Sequence, residues 1–187
     1  MNIANWLEKA KTKVPNIDAE LILLNILREK DRTYLISHDT RDLTEVEEEK
    51  ANYYLNERAK NKPLAYIINS KEFYGREFYV DENVLIPRPE TEDIIDIVKK
   101  IAENIDYPII YDVGTGSGCI AITLKLEIPK AKVVAIDNSE KALEVAKKNS
   151  AKLCSDIVLQ KSDTSMIMHC SSDWSCTDHV ADHALIT

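Results

Sequence analysis

The sequence predicts an α/β protein in which a helical N-terminal domain and a β-hairpin linker precede the first half of a doubly wound parallel sheet. Helical patterns fill residues 1 to about 60. From residue 109 onward, short apolar runs alternate with helical patterns, as in a parallel sheet with crossover helices. Three of the four glycines of this 187-residue chain lie together between the first of these strands and the following helix, at Gly114, Gly116 and Gly118.

Capping signals support the helices of residues 1–62. Asn16 and Asp18 are predicted to cap a helix with leucines on one face. The segment Thr44–Glu47 predicts a capping box at the start of another helix. The acidic run from Glu45 to Glu49, which Val46 interrupts, is then the solvated first turns of that helix, where its dipole favours negative charge. Residues 1–62 are therefore predicted to form a small helical domain with no catalytic residue.

A linker is predicted at residues 63–88. The apolar runs Leu64–Ile68 and Phe73–Val80 predict the two strands of a hairpin. Pro87 and Pro89 then fix an extended segment that leads into the next helix. The simplest interpretation of the two prolines is a rigid domain junction, which we favour over a binding role.

The alternating pattern predicts a partial ligand-binding domain at residues 89–163. Carboxyl ends of parallel strands meet at one edge of a sheet, where such folds bind ligands. Asp137 ends the second strand and Asp163 follows the third, so both are predicted at that edge. Ser139 is predicted to cap the second crossover helix. The predicted strands are 109–113, 132–136 and 156–160, and the predicted helices are 117–127 and 139–149.

Two kinds of ligand fit the glycine loop. Gly116–Ala121 satisfies G-x-G-x-x-A, which would place the pyrophosphate of a nicotinamide cofactor at the helix N-terminus. However, Asp112 precedes the loop, and a carboxylate repels phosphates but attracts a cationic amino group, such as that of S-adenosylmethionine. A tight turn without ligand is the remaining alternative. The candidate cofactor-binding residues are Asp112, Gly114, Thr115, Gly116, Ser117, Gly118, Asp137 and Asp163.

Composition narrows the possible partners. The formal net charge of −8, from 24 basic and 32 acidic residues, disfavours direct nucleic-acid binding. No segment has the length of a membrane span or the pattern of a signal peptide, so no membrane partner is expected. The cysteines suggest no disulfide framework, which favours a reduced cytoplasmic protein. The spacing of Cys170, Cys176, His179 and His183 matches no common zinc module, and no metal site is predicted.

Three segments that follow one another along the chain carry a family resemblance. Phe73–Val80, Leu85–Glu92 and Asp112–Ala121 together resemble the release-factor glutamine N5-methyltransferases, the PrmC/HemK family. The helical N-terminal part followed by a hairpin also fits, and the likeness runs from about residue 1 to about residue 163. It implies that the sheet is the first half of a class I S-adenosylmethionine-dependent methyltransferase fold, which is Rossmann-like.

The resemblance also implies a cofactor and a substrate. S-adenosyl-L-methionine would lie over Gly114–Gly118, Asp137 would hold its ribose hydroxyls, and Asp163 would lie near its adenine. The protein substrate would be a class I peptide-chain release factor, methylated on the glutamine of its Gly-Gly-Gln loop and docked by the N-terminal helices. Ribosomal-protein glutamine methyltransferases share most of these signatures and remain an alternative.

The chain departs from the family after Lys161. The Asn-Pro-Pro-Tyr motif, which would hold the glutamine amide in line with the methyl group, does not occur in this sequence. No Lys or Arg follows Lys161, and residues 165–187 show no strand pattern. We therefore expect a truncated or frame-shifted chain, a disordered tail at 164–187, and a strand 109–113 without one neighbour. The 187 residues would contain no catalytic residue, and methyl transfer would be impaired; a non-catalytic module that docks a translation factor is the alternative.

Overall fold

The computed structural model describes residues 1–162 and, for the backbone, residues 183–186. The chain divides into two compact units, Met1–Asn69 and Ser70–Thr187. Each unit has its own apolar core, and each is described by itself.

The first unit is helical, as predicted. Its core is formed by apolar side chains from successive helices, with Trp6 and Ile22 among the fully buried ones. The indole Nε1 of Trp6 donates a hydrogen bond of 3.1 Å to the side-chain oxygen of Asn52. The helices are α1 (Ile3–Lys11), α2 (Asn16–Leu27), α3 (Thr33–Ser37), α4 (Glu45–Ala59) and α5 (Leu64–Ile68).

The predicted helix starts were partly right. The capping box is confirmed, because the Thr44 hydroxyl accepts from the backbone N–H of Glu47 and the Glu47 carboxylate accepts from the backbone N–H of Thr44. The predicted cap on α2 was wrong. Asn16 is already helical, and no side chain caps this end. Asp18 instead pairs with Arg58 of α4 at 2.6 Å, so this carboxylate joins two helices.

The hairpin exists but lies further along the chain than predicted. Leu64–Ile68 is helix α5 and not a strand, because Pro63 opens one helical turn and Asn69, with φ of 52°, closes it. A five-residue apolar run does not distinguish a short buried helix from a strand. The hairpin pairs β1 (Lys71–Phe73) with β2 (Arg76–Phe78). Its two-residue turn is left-handed at both positions, as a type I′ turn requires.

The second unit contains a parallel sheet of the predicted topology. The strands lie in the order β5–β4–β3–β6, and β3 pairs in parallel with β4, as β4 does with β5. This order is the 3-2-1-4 arrangement of a doubly wound sheet. The first half of a doubly wound, Rossmann-like sheet is thereby confirmed. The elements are α6 (Glu92–Ala102), β3 (Ile109–Val113), α7 (Cys119–Glu127), β4 (Lys132–Asp137), α8 (Glu140–Lys152), β5 (Val158–Lys161) and β6 (His183–Ile186).

The sheet contradicts one expectation about the tail. The backbone of β6 pairs in parallel with β3, from Ile109 opposite His183 to Asp112 opposite Ile186. The prediction that β3 lacks a neighbour was therefore wrong, as was the absence of a strand after residue 165. A four-residue strand is too short to show a pattern of its own, and its pairing depends on the edge that β3 presents. Residues 163–182 and 187, which include Cys170 and Cys176, lie outside the described residues, and disorder there stays a prediction.

The hairpin is fixed to the sheet through its buried face. Phe73 and Phe78 are fully buried, meet edge-to-face at 6.1 Å, and share a core with Ile110 of β3. Arg76, opposite Phe73 on the same face of the hairpin, donates to Glu127 of α7 at 2.6 Å, and Glu127 also accepts from Lys99 of α6 at 2.8 Å. Apolar packing and this ion-pair network together place the hairpin against the start of the domain. No helix in the described part of the chain is long and apolar enough to cross a membrane.

Candidate functional site: the glycine loop

The glycine loop lies between the carboxyl end of β3 and the start of α7. Gly114, Gly116 and Gly118 have φ values of 80°, 54° and 78°, a region that other residues adopt only with strain. The backbone N–H groups of Gly114 and Thr115 both donate to the carbonyl of Ile136 on β4, at 2.8 and 2.9 Å. The loop is therefore tied to the second strand as well as to the first.

The two sides of the loop differ in their surroundings. A Cβ added at Gly114 would meet no described atom within 4 Å, and one at Gly116 would meet only the Gly114 carbonyl oxygen, at 3.9 Å. A Cβ at Gly118 would lie 3.1 Å from the Cβ of Ala146 and 3.0 Å from Ile122 Cδ1. The loop is thus open at its first glycines and packed against α8 at its last.

Asp112 lies beneath the loop, at the end of β3. It is 2% exposed, and its Oδ2 accepts from the Thr115 hydroxyl at 2.7 Å and from the Ala121 backbone N–H at 3.2 Å. Burial raises the pKa of Asp112, although these two hydrogen bonds oppose the rise. Asp112 therefore joins the loop to the first turn of α7, and its contact with a cationic ligand stays a prediction.

Asp137 lies at the end of β4 and faces the loop. One carboxylate oxygen accepts from the backbone N–H of Gly116 and the other from that of Ser139, both at 2.9 Å. Ser139 also caps α8, as predicted, by accepting from the N–H of Ala142. A carboxylate has about four lone-pair sites, so each oxygen of this half-buried group can accept a further hydrogen bond. Two carboxylate oxygens that can each accept a further hydrogen bond fit a ligand with two neighbouring hydroxyl groups.

The loop side chains have little to offer a ligand directly. Thr115 and Ser117 are buried, at 5% and 2% exposure, so this part of the loop presents mainly backbone. Cys119 is also buried, and burial raises the pKa of its thiol to about 12, so it is not a nucleophile near neutral pH. Asp163, the predicted neighbour of the adenine, lies outside the described residues.

Sequence reasoning missed Asn149 of α8. Its side chain is fully buried, and its Nδ2 donates to the carbonyls of Ser117 and Tyr79, both at 2.9 Å. Its Oδ1 accepts from the backbone N–H of Tyr79 at 2.7 Å. Asn149 follows two lysines, in a stretch whose polarity suggests a solvated helix face. The one available signal was its position three residues after Ala146, on the apolar stripe of the helix.

Metal ligands do not cluster in the part of the chain that the structure describes. Among residues 1–162, no group of three His, Cys, Asp or Glu side chains is arranged to hold a metal ion. Of the residues considered as a zinc set, Cys170, Cys176 and His179 lie outside the described residues, and His183 is described only through the backbone of β6.

Comparison with solved structures gives distant similarities to methyltransferases. One is to a Pyrococcus abyssi tRNA (uracil-54, C5)-methyltransferase in complex with S-adenosyl-L-homocysteine, with 18% identity and a TM-score of 0.42 over 50% of this chain and 23% of that one. Another is to coclaurine N-methyltransferase, with 15% identity and a TM-score of 0.39 over 87% of this chain and 50% of that one. The scores are too low to support an argument about the site.

Sequence comparison is more specific. Residues 2–68 match the model of the PrmC N-terminal domain, and residues 108–186 match a methyltransferase domain. The chain is 43% identical over 157 residues to the release factor glutamine methyltransferase of Koribacter versatilis, covering 84% of this chain and 56% of the relative. It is 44% identical over 153 residues to that of Chlorobaculum tepidum, covering 79% and 51%. The chain thus spans about half the length of the curated relatives it matches. With both domain models in order and identities above 40%, the chain belongs to the release factor glutamine methyltransferase family.

Proposed function

We propose that the protein is an S-adenosyl-L-methionine-dependent methyltransferase that modifies the glutamine of the Gly-Gly-Gln loop of a class I peptide-chain release factor, on its N5 nitrogen. One observation supports the cofactor most strongly: the Asp137 carboxylate and the open side of the glycine loop meet at the carboxyl edge of the sheet. Dinucleotide and nucleoside cofactors bind at this edge in doubly wound folds. The family named above supports the reaction and the substrate.

The residues of the loop fit the parts of this cofactor. Asp137 would accept hydrogen bonds from the ribose hydroxyls with its remaining lone pairs. The space beside Gly114 and Gly116 leaves room for the ligand against the backbone. Asp112, beneath the loop, would favour the cationic amino group of the methionyl part over the pyrophosphate of a nicotinamide cofactor. When bound, S-adenosylmethionine supplies an electrophilic methyl group, which the protein must hold in line with the acceptor nitrogen.

The 187 residues by themselves are proposed to transfer the methyl group poorly. They contain no Asn-Pro-Pro-Tyr motif to orient the glutamine amide, whose nitrogen is a weak nucleophile because its lone pair is delocalised. The same observation favours a second function for this chain, namely docking of a translation factor without catalysis. The match of residues 2–68 to the PrmC N-terminal domain supports such a docking role.

The partner and the location follow from the proposed reaction. A release factor acts in translation termination, so we place the protein in the cytoplasm, without a direct nucleic-acid or membrane partner. The net charge of −8 supports a protein partner over a nucleic acid. The alternative substrate is a ribosomal protein that carries the glutamine. Measuring whether the immobilised chain retains a release factor or a ribosomal protein distinguishes the two.

Calorimetric titration of the chain with S-adenosylhomocysteine, with NAD as the control ligand, tests the cofactor proposal. We expect saturable binding of the first ligand alone. Asp137→Ala should abolish it, because the ribose acceptors and the bond to the Gly116 N–H are both lost. The matched control is Asp156→Ala, which removes an exposed carboxylate from the same unit and should bind like the parent chain. Binding of NAD, or equal binding by Asp137→Ala, would contradict the assignment.

A further inference from the structure

The side chain of Asn149 links three segments that are distant in sequence. Asn149 belongs to α8, Tyr79 follows the hairpin 70 residues earlier, and Ser117 lies in the glycine loop 32 residues earlier. Toward Tyr79 the amide both accepts from the backbone N–H and donates to the carbonyl, as a neighbouring peptide group of a β-sheet would. Its second amide hydrogen donates to the Ser117 carbonyl. Three of the four hydrogen bonds that an amide can make are therefore formed, and they fix which way the amide points.

The neighbouring residues of α8 strengthen the same contact. Ala146, one turn earlier on the helix, approaches Gly118 so closely that a Cβ there would lie 3.1 Å from its methyl group. Lys148 places its ammonium group 3.1 Å from the ring centroid of Tyr79. Ala146 of α8 therefore packs against the end of the glycine loop, and Lys148 of the same helix contacts the segment that follows the hairpin.

We propose that Asn149 is a positioning residue for the cofactor loop. By holding the Ser117 carbonyl, its amide fixes the orientation of the peptide groups on either side. The peptide group on the N-terminal side joins Gly116 to Ser117, and the N–H of the same Gly116 donates to Asp137 at the site assigned to the ribose. Because the same amide holds both backbone groups of Tyr79, cofactor affinity depends on the segment that follows the hairpin. The inference rests on the proposed function, but its effect on loop geometry can be measured without ligand.

Two substitutions test the role in the full 187-residue chain. Asn149→Asp keeps the shape and the acceptor for the Tyr79 N–H but turns the donor atom into an acceptor that faces two carbonyls. Asn149→Ala removes all three bonds without adding a charge. A buried carbonyl left without a donor is costly, so we expect S-adenosylhomocysteine to bind about tenfold more weakly, or worse, in both variants. Amide hydrogen exchange in residues 114–118 should become faster.

The matched control is Ser150→Ala. Ser150 is the next residue of α8, and its hydroxyl donates to the carbonyl of Ser155, away from the loop. This variant should lose some thermal stability but keep the parent's ligand affinity and loop exchange rates. In the parent chain, the side-chain amide protons of Asn149 should also shift in the NMR spectrum on addition of S-adenosylhomocysteine, although the residue is fully buried. That measurement requires no variant to fold.

The outcomes separate the inference from the function on which it rests. Weaker binding and faster loop exchange in the Asn149 variants, but not in Ser150→Ala, would support the positioning role. Parent-like affinity in a folded Asn149 variant, an equal loss in Ser150→Ala, or unshifted Asn149 protons at saturating ligand would overturn it. If the parent chain fails to bind S-adenosylhomocysteine, the proposed function fails. The exchange rates of residues 114–118 in the free variants then decide the inference, and unchanged rates overturn it.

Discussion

Replacement of Gly118 by alanine should strongly destabilise the second unit. Gly118 has φ of +78°, and an alanine forced into this region costs about 1–2 kcal/mol. The new methyl group would also lie 3.1 Å from the Cβ and 3.3 Å from the Cα of Ala146. The Cα belongs to the backbone of α8 and cannot rotate away, so overpacking adds about 1–3 kcal/mol. We expect a total loss of roughly 2–5 kcal/mol, a large share of the ~5–15 kcal/mol that stabilises a typical domain.

Gly114→Ala provides the matched comparison. Gly114 has nearly the same φ, +80°, but a Cβ there would meet no described atom within 4 Å. Only the conformational cost should appear, about 1–2 kcal/mol. The difference between the two variants therefore isolates the close approach of α8. It is measured from amide exchange of Ile110, a fully buried residue of β3 whose opening reports unfolding of this unit.

Ligand binding should rank the same two variants in the opposite order. Gly114→Ala places a methyl group in the open space proposed for the cofactor, so it should weaken binding of S-adenosylhomocysteine while costing less stability than Gly118→Ala. Gly118→Ala, measured where it remains folded, should affect stability more than affinity. Equal destabilisation by the two variants would refute the packing argument. Parent-like affinity in Gly114→Ala would refute the placement of the ligand.

Three further predictions concern other parts of the chain. The pKa of Glu127 lies below its usual 4.5, mainly because the carboxylate accepts a hydrogen bond from Lys99. This pair should therefore stabilise the fold above about pH 4.5 and lose its effect as the pH falls through the lowered pKa. Glu127→Gln should accordingly lower Tm near neutral pH but not in acid. Mass spectrometry after brief iodoacetamide treatment should find exposed Cys154 modified and buried Cys119 protected, because burial raises the pKa of the Cys119 thiol to about 12. Thr44→Ala should cost about 1 kcal/mol by removing one half of the capping box, seen as faster amide exchange at the start of α4.

The sequence was most informative where a local rule had one solution. Glycines after an apolar run, an acid at the end of the next run and Ser139 before a helix each indicate a specific backbone geometry, and the structure has it. The order of strands and helices was predicted from the alternation of short apolar runs with helical patterns. The bounds of these elements shifted by only a few residues, since helix and strand ends depend on contacts that a pattern does not contain.

Errors arose where tertiary contacts decide the conformation. Leu64–Ile68 has the composition of a strand, but Pro63 and Asn69 at its ends make it one turn of helix. The strand His183–Ile186 depends on the free edge of β3 and has no periodicity of its own. Asp18, predicted as a cap, pairs instead with a residue 40 positions away. The partners of β6 and of Asp18 lie far away in the sequence, and a five-residue apolar run such as Leu64–Ile68 does not by itself distinguish helix from strand.

Asn149 shows why a cofactor loop can be predicted from the sequence while the residue that holds its backbone in place cannot. The glycines of such a motif are required on the side of the loop that faces the ligand, where the backbone must turn tightly and the ligand must approach it closely. The opposite side of the loop must also be satisfied, because the Ser117 carbonyl is buried and needs a donor. That donor could come from any residue that the fold brings near, so its position in the sequence follows no motif. The geometry of this loop is therefore set by the side chain of Asn149 as well as by the glycines within the loop. Substitution of Asn149 and substitution of the loop glycines should both weaken the binding of S-adenosylhomocysteine.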